Sequence, residues 1–186
     1  DFSRYGVPQR RVRLLVFGSL IGEPPFPPPL GRFEPTVGET IGDGTSFDAF
    51  NTAIPELALS QKELERVTRF DANCGSRPRH LRADEPARTI TVTNATSDPS
   101  DLLRIQLHDG SLRKLRLCEI AALQSFPENF TFDATSTVRA RSMLGNAFPP
   151  AAAVLIAAAQ RKHVLLVRRQ VRSLLDFTSR PESTVT

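Results

Sequence analysis

The sequence predicts a mixed α/β fold in which short strands are interspersed with helices. A strongly apolar run, VRLLVFG at 12–18, is typical of a buried strand. Two alternating segments within 102–117 surround Asp109-Gly110, a pair that favours a hairpin turn. Apolar segments at 118–126 and 149–163 have the composition and length of helices. Hydrophobic residues make up 40% of the 186 positions, which is enough for a real core and argues against wholesale disorder.

In the first half of the chain, the strand at 12–18 ends at a glycine and is followed by a proline-rich segment at 21–36. Its six prolines predict an extended linker between subdomains, with a ligand for an SH3 or WW domain as the alternative. VGETIGD, residues 37–43, can start a short helix. Residues 56–70 predict a longer helix, because they contain a serine followed three positions later by a glutamate, the capping-box pattern.

In the second half, residues 71–101 are polar and rich in turn formers, but PARTITVTN at 86–94 alternates like a strand. The hairpin at 102–117 follows, and the helix at 118–126 should end before Pro127. The helix at 149–163 begins with prolines in its first turn, where a missing N–H costs nothing. The tail after it can continue as an amphipathic helix.

Charge is distributed unevenly. The net charge is +4, yet residues 19–65 carry −6 and residues 66–118 carry +4, with ten basic and six acidic side chains in the latter. Nearly all the positive charge is arginine, which binds phosphates and base edges through a planar fork of donors. This composition favours a nucleic-acid partner.

Other protein classes are disfavoured by what the sequence lacks. Cys74 and Cys118 are too few for a disulfide framework or a metal cluster, so no metal site is predicted. The best candidate for a membrane span, 147–159, is short and carries two prolines, and no signal peptide is recognisable. We therefore expect a soluble, intracellular protein, in the nucleus if eukaryotic and in the cytoplasm or nucleoid if bacterial.

Gln9, Arg11 and Arg13 alternate along the start of the first predicted strand. Alternate residues of a strand share a face, so these three should point one way and Arg10 and Val12 the other. One amide and two guanidinium groups could grip a phosphate and a base carbonyl together. A strand edge held by salt bridges is an equally good interpretation of the spacing.

Two further segments are distinctive. In LRLCEIAALQSFPENF, residues 115–130, the apolar positions Ile120, Leu123 and Phe126 should pack inward from a helix. In LGNAFPP, residues 144–150, a Gly-Asn pair precedes the proline-started helix. It predicts a tight turn whose backbone N–H groups could cradle a small polar ligand, or simply an ordinary helix start.

In order and spacing these segments resemble the C-terminal part of the DNA (cytosine-5) methyltransferases. YGVPQRRVRLLVFG resembles motif VIII of that family, RKLRLCEIAALQSFPENF motif IX, and LGNAFPP motif X. DEPARTIT, residues 84–91, is similar to a phrase near the end of the family's target recognition domain. The resemblance extends to about Ala159.

The resemblance implies the last strand and closing helix of a Rossmann-like, S-adenosylmethionine-dependent methyltransferase domain, together with a small α+β target recognition domain. Four segments follow from it. They are the end of the catalytic domain at 1–18, the linker and recognition domain with motif IX at 19–143, motif X and its returning helix at 144–163, and a basic tail at 164–186.

The resemblance also implies roles for individual residues. Arg13 would hold O2 of a cytosine flipped out of the duplex, and Arg11 and Gln9 would hold the pocket wall and nearby backbone. Asn146 and Phe148 would back the site of the cofactor, S-adenosyl-L-methionine. Double-stranded DNA is the implied partner. The candidate DNA contacts are Gln9, Arg79, Arg82, Arg88, Thr89 and Thr91.

Several elements of the family are not found in the sequence: the Pro-Cys nucleophile, the Glu-Asn-Val motif and the Gly-rich cofactor loop. Neither Cys74 nor Cys118 follows a proline, so both are interpreted as structural. We expect a C-terminal fragment, or a subunit of a split enzyme, whose partner is an N-terminal catalytic half. Cys118 and Ala122 also replace two arginines usual in motif IX, so the bracing of the recognition domain should differ, and Phe148 lies where valine is commonest.

Three alternatives remain open. The chain could be a catalytically inactive DNA-binding remnant or specificity subunit. It could be a tRNA cytosine-5 methyltransferase, although the long insertion between motifs VIII and IX argues against that branch. It could also be a basic α+β domain without catalytic ancestry. In any case a chain lacking the rest of the sheet would expose apolar surface, so it should be poorly stable alone.

Overall fold

The computed structural model describes residues 1–31, 34–73, 78–96, 101–132 and 136–178. The chain divides into two compact units, one formed by 1–13 and 29–152 and the other by 14–28 and 153–186. The elements, in chain order, are α1 (Val37–Ile41), α2 (Gln61–Asn73), α3 (Val92–Thr96), β1 (Arg104–Gln106), β2 (Leu112–Lys114), α4 (Leu117–Leu123), α5 (Thr137–Asn146) and α6 (Pro150–Thr178). Short 3₁₀ helices occur at Phe2–Tyr5 and Pro55–Leu57.

The hairpin prediction is confirmed. Strands β1 and β2 pair antiparallel, with Ile105 opposite Arg113 at the centre of the register. The turn closes through the Leu107 N–H, which donates to the Ser111 carbonyl at 2.8 Å. Gly110 has φ +85°, a conformation that glycine adopts without the steric cost of a Cβ atom.

The two helices predicted in the first half are also found, each started by a capping box. At α2 the Ser60 N–H donates to Oε2 of Glu63 at 3.0 Å, and the Glu63 N–H donates to Oγ of Ser60 at 3.4 Å. The helix begins at Gln61, later than predicted, because Pro55–Leu57 forms a separate 3₁₀ turn. At α1, Thr36 and Glu39 make the same reciprocal pair.

One hydrophobic core unites the elements of the first unit. Ile120 and Leu123 of α4 are completely buried, and Phe126 packs against the same cluster, as the sequence predicts. The other fully buried large apolar side chains come from nearly every part of the unit; they are Ile41, Ile90, Leu103, Ile105, Leu115 and Leu144.

The predicted buried strand at 12–18 is wrong for this chain. These residues have no regular secondary structure, and the side chains of Leu14 and Val16 are 90% and 87% exposed. A strand needs a hydrogen-bonded neighbour, and none of the described residues forms a ladder with this segment. Leu14 and Val16 therefore stay exposed to solvent in the described chain.

The strand predicted at 86–94 is found only in part. Ala87 forms a single parallel bridge to Gln9, and helix α3 begins at Val92. The tight turn predicted at the Gly-Asn pair is likewise wrong, because Gly145 and Asn146 end helix α5, an element that the sequence analysis missed. The buried residues of helix α5 are Ala140, Leu144 and Gly145. Only one of them is a large apolar residue, so the apolar periodicity of the helix is weak.

The second unit contains most of α6 together with residues 14–28. Pro150 starts the helix, and the predicted continuation into the tail is confirmed as far as Thr178. Within this unit Nε2 of Gln160 donates to the Pro25 carbonyl at 2.7 Å, and the rings of Phe17 and Phe26 meet edge to face. By length and composition alone, Pro150–Ser173 is a segment that could cross a membrane, which corrects the expectation of no such run.

Candidate functional site

Gln9 is a completely buried amide at the junction of several segments. Its Oε1 accepts from the Ile90 N–H at 2.8 Å, and its Nε2 donates to the Leu123 carbonyl at 3.4 Å. Backbone bonds on either side fix it further, since the Arg10 N–H donates to the Ala87 carbonyl at 2.8 Å. Both polar ends of Gln9 are thus used by the chain's own backbone.

Arg11 is buried beside Gln9. Its Nη1 donates to the Ile90 carbonyl at 2.6 Å and its Nη2 to the Gly145 carbonyl at 3.0 Å. Burial lowers the pKa of Arg11, and the positive charge of Arg13 lowers it further. Two backbone carbonyls accept from its charged donors, which is how a buried cation is tolerated. Arg11 therefore holds backbone, one of the roles predicted for it, rather than presenting donors to solvent.

Helix α4 and helix α5 join this network through Gln124 and Gly145. Nε2 of Gln124, also completely buried, donates to the Leu144 carbonyl at 2.7 Å. A Cβ added to Gly145 would lie 2.4 Å from the Val92 nitrogen, so only glycine permits this approach of α5 to α3. We call Gln9, Arg11 and Gln124 the polar brace. It ties together residues 9–11, 87–91, 123–124 and 144–145.

Arg13 differs from Arg11 although only two residues separate them. Its side chain is exposed, and within the part of the chain that the structure describes Nη1 donates only to the carbonyl of its neighbour Val12, at 2.7 Å. The predicted alternation holds for buried Gln9 and Arg11 against exposed Arg10 and Val12, but it breaks at Arg13. Most of the guanidinium of Arg13 is therefore free to bind a ligand.

Asn146 and Phe148 follow directly after the braced end of α5. Asn146 is exposed at the last position of the helix. The Phe148 ring is 41% exposed and meets the buried ring of Phe2 edge to face, with centroids 4.9 Å apart. The packed edge fixes the ring while leaving an aromatic surface open. An amide and a ring surface in this arrangement can contact a planar, polar ligand.

The three arginines among the candidate DNA contacts are all paired with carboxylates. Arg82 is exposed and forms a fork to Asp84, with both contacts at 3.0 Å, and this bond raises the pKa of Arg82. Arg79 and Arg88 share Asp101, at 3.1 and 2.8 Å. Burial lowers the pKa of Arg88 to about 10 against the opposing effect of Asp101.

The two threonines among the candidate contacts also have local partners. The hydroxyl of Thr89 donates to the Arg10 carbonyl at 2.7 Å, and the backbone N–H of Thr91 donates to Oδ1 of Asn94 at 2.9 Å. Both side chains are half-buried. These contacts fix the course of residues 89–91 over the polar brace and leave little of either side chain to read bases.

Sequence reasoning missed that two arginines of the basic segment 66–118 belong to the interior. Arg104 is completely buried with Nη2 at 2.7 Å from Asp71, and Arg113 is buried with a fork to Glu119 at 2.8 and 2.9 Å. A capping-box pattern places a glutamate three residues after Arg116, and this is the signal that could have found the second cluster. The net charge of +4 of residues 66–118 therefore overstates the positive charge that this segment exposes at the surface.

The described residues hold no group of three or more histidine, cysteine or acidic side chains that could bind a metal ion. Cys118 is a free, exposed thiol on α4. Cys74 lies outside the described residues.

With this geometry established, the comparisons with known proteins identify a family. The model of the C-5 cytosine-specific DNA methylases matches residues 1–162. This range includes the polar brace, Arg13 and the first part of α6, but it ends within that helix.

Curated relatives agree. The chain is 35% identical over 155 residues to a type II methyltransferase, M.AplI, of Arthrospira platensis, covering 82% of this chain and 43% of that protein. It is 32% identical over 173 residues to the type II methyltransferase M1.HphI of Haemophilus parahaemolyticus, covering 85% and 45%. The chain thus spans less than half the length of these relatives.

Proposed function

The chain belongs to the C-5 cytosine-specific DNA methylase family, and on this premise we propose that it supplies the DNA-recognition and base-pocket part of a DNA (cytosine-5) methyltransferase. The observation that carries the proposal is the polar brace. It joins the segments resembling motifs VIII, IX and X, which are as much as 134 residues apart in the chain. The same brace leaves Arg13, Asn146 and Phe148 exposed beside it.

An enzyme that modifies a base inside a duplex must first take that base out of the stack. In the proposed pocket the guanidinium of Arg13 donates to O2 of the flipped cytosine, because it is the exposed one of Arg11 and Arg13, the two arginines that the motif places there. Arg11 does not contact the base in this proposal and acts as a positioning residue. It holds the Ile90 and Gly145 carbonyls, and so fixes both the floor of the pocket and the end of α5.

S-adenosyl-L-methionine is the cofactor that the family implies, and it would supply the methyl group transferred to C5. Asn146 and Phe148 fit part of such a site, because one offers an amide and the other a ring surface held at its edge by Phe2. We propose that these two residues contact the cofactor. The remaining contacts and the attacking cysteine would come from an N-terminal catalytic half, which is a partner in this proposal.

DNA is the proposed substrate, so the protein would act in the nucleus of a eukaryote or the nucleoid of a bacterium. Exposed Arg82, and Arg79 at the surface beside it, are the members of the candidate DNA-contact set best placed to meet phosphates. Each would exchange its carboxylate partner, Asp84 or Asp101, for a phosphate oxygen. Arg88, Thr89 and Thr91 would support the course of the backbone at this surface.

The test is methyl transfer from labelled S-adenosylmethionine to duplex DNA of mixed sequence. The chain would be assayed alone and together with the N-terminal half of a family methyltransferase. Activity only in the completed form is the expected result. DNA binding without methylation in either form would instead support the inactive remnant or specificity subunit, and preferential methylation of tRNA would support the tRNA branch.

Two variants sharpen this test. Arg13→Gln should lower methyl transfer about 100-fold or more, a loss typical of removing one donor from a catalytic site. Arg10→Gln is the matched control, since Arg10 is also an exposed arginine of the same segment. Equal activity of the two variants would show that Arg13 does not contact the flipped cytosine.

A further inference from the structure

The C-terminal half of α6 carries a concentrated positive charge. Five basic side chains occur between positions 161 and 172, and all five are exposed: Arg161, Lys162, Arg168, Arg169 and Arg172. From Pro150 to Ser173 the helix has no acidic residue at all. Three of the five cations lie beyond residue 162, where the match to the family model ends.

These cations differ from four arginines of the first unit. Arg82, Arg88, Arg104 and Arg113 each form an ion pair with a carboxylate of the chain. Within the described residues, none of the five α6 cations forms an ion pair. No carboxylate of the described residues therefore compensates these charges, and they are exposed to an anionic partner.

The five cations also lie on one side of the helix. At about 100° per residue they fall within an arc of roughly 120°, and at about 1.5 Å per residue the stripe is roughly 16 Å long. Leu165 lies inside this arc, whereas Val164, Val167 and Val171 lie outside it. The three valines line a cavity with Ile21 of the same unit, and Leu165, Arg168, Arg169 and Arg172 line its edge on the basic side.

We propose that this basic stripe of α6 (Arg161, Lys162, Arg168, Arg169 and Arg172) is a second DNA-binding surface, which holds phosphates of the duplex outside the target site. Its length matches several successive phosphates, which follow one another at about 3.4 Å of helix axis per strand. Arginine suits this task because its fork binds phosphate oxygens in pairs. The surface reads no bases, so it would add affinity without sequence preference.

The inference rests on the proposed function for its ligand, duplex DNA. The decisive variant is R168Q/R169Q/R172Q in the full chain, which leaves the family-matched residues 1–162 untouched. Glutamine has a helix propensity close to that of arginine, so α6 should persist. The matched control is R4Q/K62Q/R139Q, which removes the same charge from exposed positions of the first unit.

Affinity for mixed-sequence duplex DNA would be measured by fluorescence anisotropy between 50 and 200 mM salt. Each phosphate contact contributes about 0.9 to the slope of log K against log salt, so losing three lowers the slope by about 2.7. Over this fourfold salt range the wild-type affinity should fall about 40-fold more than that of R168Q/R169Q/R172Q. The control variant should keep a slope close to that of the wild type.

Equal slopes for the two triple variants would overturn the inference, because net charge alone would then explain the loss. The same holds if the α6 variant keeps wild-type DNA binding but loses binding to vesicles of phosphatidylcholine and phosphatidylserine, which would make the stripe a membrane surface. A wild-type chain that binds no duplex DNA at all would overturn the proposed function as well. A slope lowered only by the α6 variant supports the second surface.

Discussion

Glu119 offers the sharpest test of how α4 and the hairpin are held against residues 47–52. It is completely buried and accepts a fork from Arg113, at 2.8 and 2.9 Å, as well as Nε of Arg116 at 2.7 Å. Arg113 in turn donates to the carbonyls of Ala49 and Thr52. This cluster connects α4 and the hairpin to residues 47–52. Two basic partners from outside the helix thus brace Glu119, in a motif whose usual arginines are replaced at 118 and 122.

Glu119→Gln should destabilise the first unit strongly. Glutamine keeps the shape but removes the negative charge, which leaves the buried guanidinium of Arg113 without a counter-ion. Removing one partner of a buried pair costs about 3–5 kcal/mol. With a urea dependence of about 2 kcal/mol per molar, the unfolding midpoint should fall by about 1.5–2.5 M.

Urea unfolding followed by far-ultraviolet circular dichroism measures this shift. Glu128→Gln is the matched control, because Glu128 is exposed and its carboxylate only accepts from the Ser46 hydroxyl. The control should change the free energy of unfolding by no more than about 0.5 kcal/mol. If Glu119→Gln shifts the midpoint no further than Glu128→Gln, the cluster around Glu119 does not stabilise the first unit.

Three further predictions follow from the same contacts. Burial alone would raise the pKa of Glu119, but hydrogen bonds from Arg113 and Arg116 lower it overall from its usual 4.5. The stability that the Glu119 carboxylate contributes is therefore complete above pH 4.5 and is lost on acidification. In acid titrations the stability difference between wild type and Glu119→Gln should shrink below about pH 4. Gly145→Ala should destabilise by about 1–3 kcal/mol through its clash with the Val92 backbone, whereas Gly18→Ala, with open space around it, should not. The exposed apolar residues of 12–20 should bind a hydrophobic dye and make the melt of the isolated chain broad, so a sharp cooperative melt without dye binding would contradict this expectation.

Sequence alone predicted those parts of the fold that depend on a few neighbouring residues. The hairpin follows from Asp109-Gly110, and the start of α2 from Ser60 and Glu63, because each is decided by bonds within one turn. The strand at 12–18 fails for the opposite reason. A strand exists only with its neighbours, and an apolar pattern cannot supply them.

The candidate site divides in the same way. The alternation at 9–11 placed Gln9 and Arg11 on one face, and the structure joins them by a direct hydrogen bond; the bond from Arg11 to the Gly145 carbonyl at the end of α5 was not predicted. The charge of the basic segment was a poorer guide, because Arg104 and Arg113 face Asp71 and Glu119 rather than solvent. Arg104 and Asp71 are 33 residues apart, and no local pattern links them. A count of charges alone therefore cannot distinguish a buried arginine from one that is free to bind DNA.

Arg11 and Arg13 show how one short motif can contain both a positioning group and a contacting group. The guanidinium of Arg11 is saturated by carbonyls from two distant segments, so it cannot also grip a base. Arg13 has no such partners and remains exposed. Changes at the two positions should therefore separate in their effects: Arg11→Lys should lower the free energy of unfolding together with methyl transfer, because a lysine cannot reach both carbonyls with a planar fork. Arg13→Gln should lower methyl transfer and leave the unfolding midpoint unchanged, and a loss of stability at Arg13 equal to that at Arg11 would show that both arginines serve the fold alone.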